Sequence, residues 1–320
     1  MSELAMLPHA VDASGYRLGT PQRAGALTMV PVFGPAYPGI APPRSGLKLG
    51  RVVTYGQVEL HNPGTSGVAI VPLHVGYIQD AAQNHALCRS AFIAAGQTLR
   101  FDDACCVQES QGGYLAGRDD QWFFVLPVEL RTAALRARGT AQYSKLWSQI
   151  GAFNDRYGLP ARGHLEQVLT RQRAGLTQYQ SRLELLDGQL GAVFLVGGAL
   201  AGVEIAPDPV YFAEVWMALA CFAYGPAAWF SEPVAAGDGE PLRAASVAGL
   251  RAELAGRRRA VAGDVRAALA RAAWQPGEPV EQERYLDLRL STVDSGTVAG
   301  QYVTDGSRLV YASLFATAAA

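Results

Sequence analysis

Lysine is almost missing from this 320-residue chain: of 27 basic residues, only Lys48 and Lys145 are lysines. Arginine carries nearly all the positive charge in a chain rich in Ala and Gly. That bias fits a GC-rich bacterial genome better than a special use of arginine. An excess of either charge is missing too. The net charge is −1 and only 17% of residues are charged, so no global field draws the chain to nucleic acid or to an anionic membrane. Cysteine is scarce, with four residues at Cys88, Cys105, Cys106 and Cys221 and no C-x-x-C spacing. Such thiols are expected to be reduced and buried, not a disulfide framework, and they lack the ligand spacing of a zinc site. No window reaches about 18 uninterrupted apolar residues, so no spanning helix is expected. The opening MSELAMLPHAVDAS lacks a basic n-region and a continuous apolar core. No signal peptide is expected and a cytoplasmic location is.

What is present is an ordinary globular composition, 49% hydrophobic, in a chain long enough for a full core. Residues 1–25 are weakly patterned and expected to be a loose arm, with a single α+β domain over 26–320. Strands are expected at Ala26–Phe33, 51–60 and 66–74, with a Pro- and Gly-rich loop over 34–46. Ala91–Ile93 and Gln97–Phe101 flank Ala94-Ala95-Gly96, which reads as a hairpin turn with Gly in the left-handed position. Strands at Cys105–Val107 and Gln121–Leu130 follow.

The period then changes. Tyr143, Leu146, Trp147, Ile150, Phe153 and Tyr157 fall at helical spacing, and Leu165 to Leu186 repeats it, predicting a helical hairpin. LGAVFLV and ALAGVEI flank Gly197-Gly198, the signature of a tight β-hairpin. Asp208-Pro209 opens another helix, with Asp as cap and Pro at its first position. A long Arg/Ala-rich helix is expected over roughly 242–273, then strands at Tyr285–Leu290, Thr297–Val303 and Arg308–Phe315. The expected fold is α+β: antiparallel sheets from the N-terminal half and the C-terminal strands, packed with a helical middle.

The richest polar stretch is Val75–Tyr114. Gln83, Asn84, His85 and Arg89 lie close together in it, with Cys105-Cys106 downstream. Amides can read ribose or base edges, a histidine can exchange a proton near neutral pH, and an arginine can fork onto phosphate. These residues are the candidate ligand site (Gln83, Asn84, Arg89), with His85 and Cys106 the candidates for chemistry. The competing reading is a solvated turn whose amides bind their own backbone, with the thiols as small core residues. Cys88, Cys106, His74 and His85 have no metal-ligand spacing, and no metal or cofactor is expected. Glu109, Glu129, Glu204 and Asp208 are candidate acids. Glu204, between Val203 and Ile205, is expected to face solvent. No phosphate-binding glycine loop, nucleophile elbow or zinc-protease motif occurs.

Three stretches, in this order, resemble a known family. In Gly76–Val107 the chain keeps Gln83-Asn84, the hairpin with Ala95 before Gly96, and Cys106-Val107, with Tyr114 as a later aromatic. The second stretch is LGAVFLVGGALAGVEI with its following Phe- and Trp-bearing helix, and the third is SRLVYASLF, 307–315. The family is named for its genomic association with ADP-ribosylglycohydrolases and rhodanese/phosphatase-superfamily proteins. The chain departs from it at Ala82, where the family has a basic residue, and at His85, where it has Arg. The resemblance implies the α+β fold and a role near ADP-ribose or NAD-derived metabolites, without an assigned catalytic set.

Basic residues cluster between Arg131 and Arg182, nine against two acids, and between Arg251 and Arg271, six against two. Such faces are either solvated or shaped for an anionic partner. Three functions are therefore expected to compete. One is a ligand-binding or accessory protein taking a small anionic or nucleotide ligand. Another is a hydrolase acting on ADP-ribose or a related nucleotide conjugate. The last is an assembly protein that contacts a partner, or itself, through its helices. Nucleic acid is the less favoured partner, and a membrane is not expected.

Overall fold

The computed structural model describes residues 7–8, 11–78, 84–109, 122–231, 242–272 and 274–317. Its largest element is an antiparallel sheet of nine strands that joins the two ends of the chain. Leu27–Phe33 pairs with Gly191–Val196, which turns at Gly197-Gly198 into Ala199–Ile205. Both turn glycines have positive φ, 59° and 85°, as a primed hairpin turn requires. Ala199–Ile205 then pairs with Arg308–Ala316, and the sheet continues through Val298–Asp305 and Leu288–Asp294 to an edge at Val280–Tyr285. The C-terminal strands thus join the N-terminal ones in one sheet, with the hairpin of 191–205 between them.

Three smaller sheets come from the N-terminal half. They are Ile40–Ala41 with Val68–Ile70 and Phe92–Ala94, Lys48–Thr54 with Gln57–His61 and Thr98–Phe101, and Val75–Ile78 with His85–Ala86, Cys105–Cys106 and Trp122–Val125. One core cluster packs the helices and part of these strands on one face of the large sheet, a second fills the other face under the long helix, and a third lies among the small sheets around Leu49, Val58, Leu60 and Phe101.

Several expectations need correction. The arm over 1–25 is not loose where it is described: Arg17–Leu18 and Gln22–Ala24 pair with Leu27–Phe33, and Tyr16 is buried with its hydroxyl on the Leu309 carbonyl at 2.9 Å. The strand at 51–60 is a hairpin that turns at Tyr55-Gly56, with φ 79° at the glycine. Gly96 is left-handed as expected (φ 74°), but its flanking strands do not pair with each other; one joins Val68–Ile70 and the other joins Gln57–His61. The strand from 121 stops at Val125, and Val128–Arg136 is already helical. The helix over Leu165–Leu186 breaks into Glu166–Arg171, Arg173–Leu176 and Gln178–Arg182, with Gly175 pressed against the Trp229 ring. The strand at Tyr285–Leu290 is split by a turn in which Leu286 takes φ 51°.

Asp208 caps its helix as expected, its carboxylate accepting from the Tyr211 amide at 2.8 Å. This helix does not stay α. Over Ala218–Ala223 it widens to a π-helix, and the Tyr224 amide reaches back five residues to the Leu219 carbonyl at 2.9 Å. The inserted residue re-phases the helix, so that every side chain from Ala218 to Tyr224 is buried. Pro209–Ser231 is the one segment among the described residues long and apolar enough, by length and composition, to cross a membrane. In its most apolar window 67% of the residues are buried inside the fold, the signature of a core helix.

Candidate ligand site

The structure separates the residues that the sequence placed together. Gln83 lies outside the described residues. Asn84 and His85 are buried, not solvated. The Asn84 amide donates to the Gln108 side chain at 3.2 Å, and the Asn84 carbonyl accepts from Val107 at 3.0 Å. The His85 Nε2 accepts from the Gly56 amide at 3.0 Å, which ties this strand to the Tyr55-Gly56 turn. Cys106 stands directly across from His85 in the antiparallel pair. Opposed residues share a face, so the two chemistry candidates are side by side. The Cys106 thiol, fully buried, donates to the Gln108 carbonyl at 3.0 Å, and its own carbonyl accepts from the Trp147 indole at 3.1 Å. Cys105 points the other way, its sulfur 2.8 Å from that of Cys88 in the core. Burial pushes the Cys105 thiol well above its usual range, with Cys88 adding to the shift. That is the opposite of what a nucleophilic thiolate needs.

Arg89 is the candidate that faces open space. It lines a cleft of about 660 Å³ together with Arg100, Asp102, Asp103, Arg136 and Arg138. Four separated pieces of chain meet here: the bend after His85–Ala86, the end of Thr98–Phe101, the last turn of helix Val128–Arg136 with the loop after it, and Gln282 of the edge strand. Gly139, at φ 74°, lets that loop double back, its amide bonded to the Asp103 carboxylate at 2.8 Å. Two of the arginines are neutralised at short range, Arg100 by Asp102 at 2.7 Å and Arg136 by both oxygens of Asp294 at 2.9 and 3.1 Å. The other two are held more loosely or not at all. Arg89 lies 3.7 Å from Asp103 and 3.9 Å from Glu283, with its guanidinium 4.9 Å from the Phe101 ring centre. Arg138 donates to the Leu135 carbonyl at 2.9 Å and has no carboxylate at ion-pair distance among the described residues. Two planar forks with spare donors at one cleft suit a phosphate or carboxylate group.

A second polar assembly lies in the core, where sequence reading did not find it. Arg131 is fully buried, its Nη1 2.6 Å from Glu204 Oε1 and 3.2 Å from the Tyr224 hydroxyl. Its Nε donates to His74 Nδ1 at 3.2 Å, its Nη2 to Ser313, and its guanidinium lies 4.4 Å from the Phe315 ring centre. Tyr224 donates to Glu204 at 2.6 Å. Glu204 is thus not on a solvent face. Its strand is central, paired on both edges and covered on both faces, so alternation gave no exposed side. Burial, and then the Arg131 charge, hold His74 well below its ordinary value, so it is neutral. Burial opposes the Arg131 charge, but Glu204 and the neighbouring tyrosine oxygens more than offset it. The assembly pins the loop before Val75, helix Val128–Arg136, two central strands and the π-helix to one another.

The remaining candidate acids have plain roles, with one exception. Glu109 binds the Gly163 amide at 2.8 Å, and Asp208 is the helix cap. Glu129 keeps a buried Oε2 with no hydrogen-bond partner among the described residues. Burial pushes its carboxyl up to about 7, against the pull of its own backbone amide and then of Arg156. Native protein therefore binds an extra proton between roughly the usual carboxylate range and pH 7, and stability falls as pH rises through that window. Glu129→Gln is expected to flatten this slope and to raise stability at pH 8 by about 2 kcal/mol. Urea denaturation at pH 5 and pH 8 measures it; equal slopes in both proteins would refute the assignment.

Among the described residues no group of three or more His, Cys, Asp or Glu could hold a metal ion. The family model of the ARG and Rhodanese-Phosphatase-superfamily-associated Protein domain matches residues 15–315. No curated protein and no solved structure matches the chain.

Proposed function

Because this chain belongs to the family of ARG and Rhodanese-Phosphatase-superfamily-associated Proteins, we propose that it is a cytoplasmic, ligand-binding accessory protein for ADP-ribose or related NAD-derived metabolites. The observation that carries the reading is the cleft at Arg89. It is open and lined by arginines from distant parts of the chain; Arg138 has no carboxylate at ion-pair distance among the described residues, and Arg89 has only long ion pairs, at 3.7 and 3.9 Å. The family name supplies the direction, since ARG denotes ADP-ribosylglycohydrolases, whose substrates and products carry a diphosphate. Arg89 and Arg138 hold that diphosphate by paired N–H donors, and Arg100 and Arg136 shape the walls through their own carboxylates.

The test is calorimetric titration of the full chain with ADP-ribose, NAD and AMP. ADP-ribose is expected to bind, to bind more weakly as salt is raised, and to lose about tenfold or more in affinity in Arg89→Ala/Arg138→Ala. Wild-type affinity in that variant, with an unchanged melting temperature, would remove the cleft from the reading. One observation favours the hydrolase reading as a second possibility, the cross-strand pairing of Cys106 with His85. In that reading NAD, in which ADP-ribose is joined to nicotinamide, is consumed during the titration, and Cys106→Ser ends the consumption while leaving the cleft's affinity intact.

A further inference from the structure

The long helix Val247–Arg271 is folded along its whole length but supported along only part of it. Its last third docks on the large sheet, with Val265 and Ala268 buried and Val261 and Leu269 packed beside them. Towards the N-terminus the same stripe continues without cover among the described residues. Val247, Leu250, Leu254 and Val261 follow the three-four spacing of heptad a and d positions, yet Val247 is 67% and Leu254 37% exposed. Fourteen residues of helix without a packing surface are marginal in water. Among the described residues they are held by a cap, Ser246 to the Gly249 amide at 3.1 Å, an ion pair, Arg257 to Glu253 at 2.8 Å, and the Arg243 amide on Glu253 at 3.0 Å.

The charges select what can cover the stripe. With Val247 and Leu254 at a, Arg251 and Arg258 both fall at e, and Arg257 falls at d. Arg251, Arg258 and Arg259 have no hydrogen-bond or ion partner among the described residues. A second copy of the helix fits badly in either direction. A parallel pair sets Arg257 against its own equivalent at the d layer, and an antiparallel pair sets Arg251 against Arg258 at the flanks. An acidic helix with its own a/d apolar stripe meets the e-position arginines with carboxylates and lets Arg257 reach one as well.

We infer that the exposed N-terminal portion of the 247–271 helix is a docking element for an acidic amphipathic helix of a partner protein. The site is distinct from the arginine cleft and does not depend on what that cleft binds. The probe is a fluorescein-labelled 21-residue peptide with Leu at a and d and Glu at e and g, titrated against the full chain by anisotropy. Saturable binding of this peptide is expected, with none by its counterpart carrying Lys at e and g. Val247→Asp/Leu254→Asp is expected to lower the affinity at least about tenfold without changing the melting temperature, because both side chains lie outside the core. Arg251→Glu/Arg258→Glu is expected to transfer preference to the Lys peptide. Equal binding of both peptides, no saturable binding, or equal binding of polyglutamate would overturn the inference. So would tighter binding of a 20-base-pair DNA duplex at the same salt, or a dimer in solution that Leu254→Asp dissolves.

Discussion

Arg131→Met is expected to destabilise the protein by about 3–5 kcal/mol, the cost of leaving a buried carboxylate without its cation. Glu204 is 4% exposed, and its Oε1 accepts from both Arg131 and Tyr224 at 2.6 Å. Without the guanidinium, Glu204 must take up a proton or admit water, and Ser313 and His74 lose their donor as well. Glu204→Leu is expected to cost a comparable amount for the mirror-image reason, since it leaves the buried cation without a counter-charge. The double variant Arg131→Met/Glu204→Leu removes both charges. It is expected to recover most of the loss, because a buried ion pair is weak evidence of net stabilisation against apolar side chains of similar volume. Urea denaturation of the four proteins gives the coupling. Single variants costing under about 1 kcal/mol each would mean that the five elements meeting at Arg131 are held by packing alone.

The same assembly shows where sequence reading stops. The Gly197-Gly198 hairpin, the Asp208 cap and the strands at both ends were legible because each depends on local chemistry: positive φ, a side-chain acceptor, alternating β-branched residues. Glu204 was misplaced because alternation assumes one wet face, and its strand has none. Arg131 is the fourth residue of helix Val128–Arg136, where the sequence reads as a strand through Leu130, and nothing local says that its guanidinium points inward to a glutamate 73 positions away. The π-turn was invisible for a related reason, since Ala218–Ala223 are apolar on all sides and fix no phase. The tight Tyr55-Gly56 turn was hidden inside a run of strand formers.

The cleft was half legible. Arg89 was found through its neighbourhood with Gln83 and Asn84, but that neighbourhood is not the one it has in space. Its companions are Arg100, Arg136 and Arg138, two of them inside the basic run of 131–182 that also fits a solvated face. One member of the same run, Arg131, proved to be core, and two others line a cleft. Charge density along the chain therefore marked the region, and only the fold could sort its members. Asn84, His85 and Cys106 stood out as reactive types, yet their hydrogen bonds go to Gly56, Val107 and Gln108 of their own framework.

The second large effect is expected at a residue with no side chain. A Cβ placed on Gly202 would lie 1.9 Å from the Tyr224 hydroxyl oxygen and 2.5 Å from the ring carbon that carries it. The tyrosine has nowhere to move. Its ring is stacked on Phe194 at 4.3 Å between centres, and its hydroxyl is held by Glu204 and Arg131. Gly202→Ala must therefore push the strand off the π-helix or expel the tyrosine, and either route breaks the buried network. Overpacking of this kind costs about 1–3 kcal/mol, and losing a hydrogen bond to a buried charge adds about 2 kcal/mol. A total of about 3–5 kcal/mol is expected. Tyr224→Ala opens a cavity and is costly by itself, but in that background the new methyl group has room. Gly202→Ala is then expected to cost less than about 1 kcal/mol, a coupling that a double-mutant cycle reads directly. If the two losses instead add, Gly202 is required for some reason other than Tyr224. The glycine, the re-phased helix and the arginine are parts of one arrangement: the π-turn delivers Tyr224, the bare backbone of Gly202 admits it, and the hydroxyl completes the shell that keeps a charge in the core.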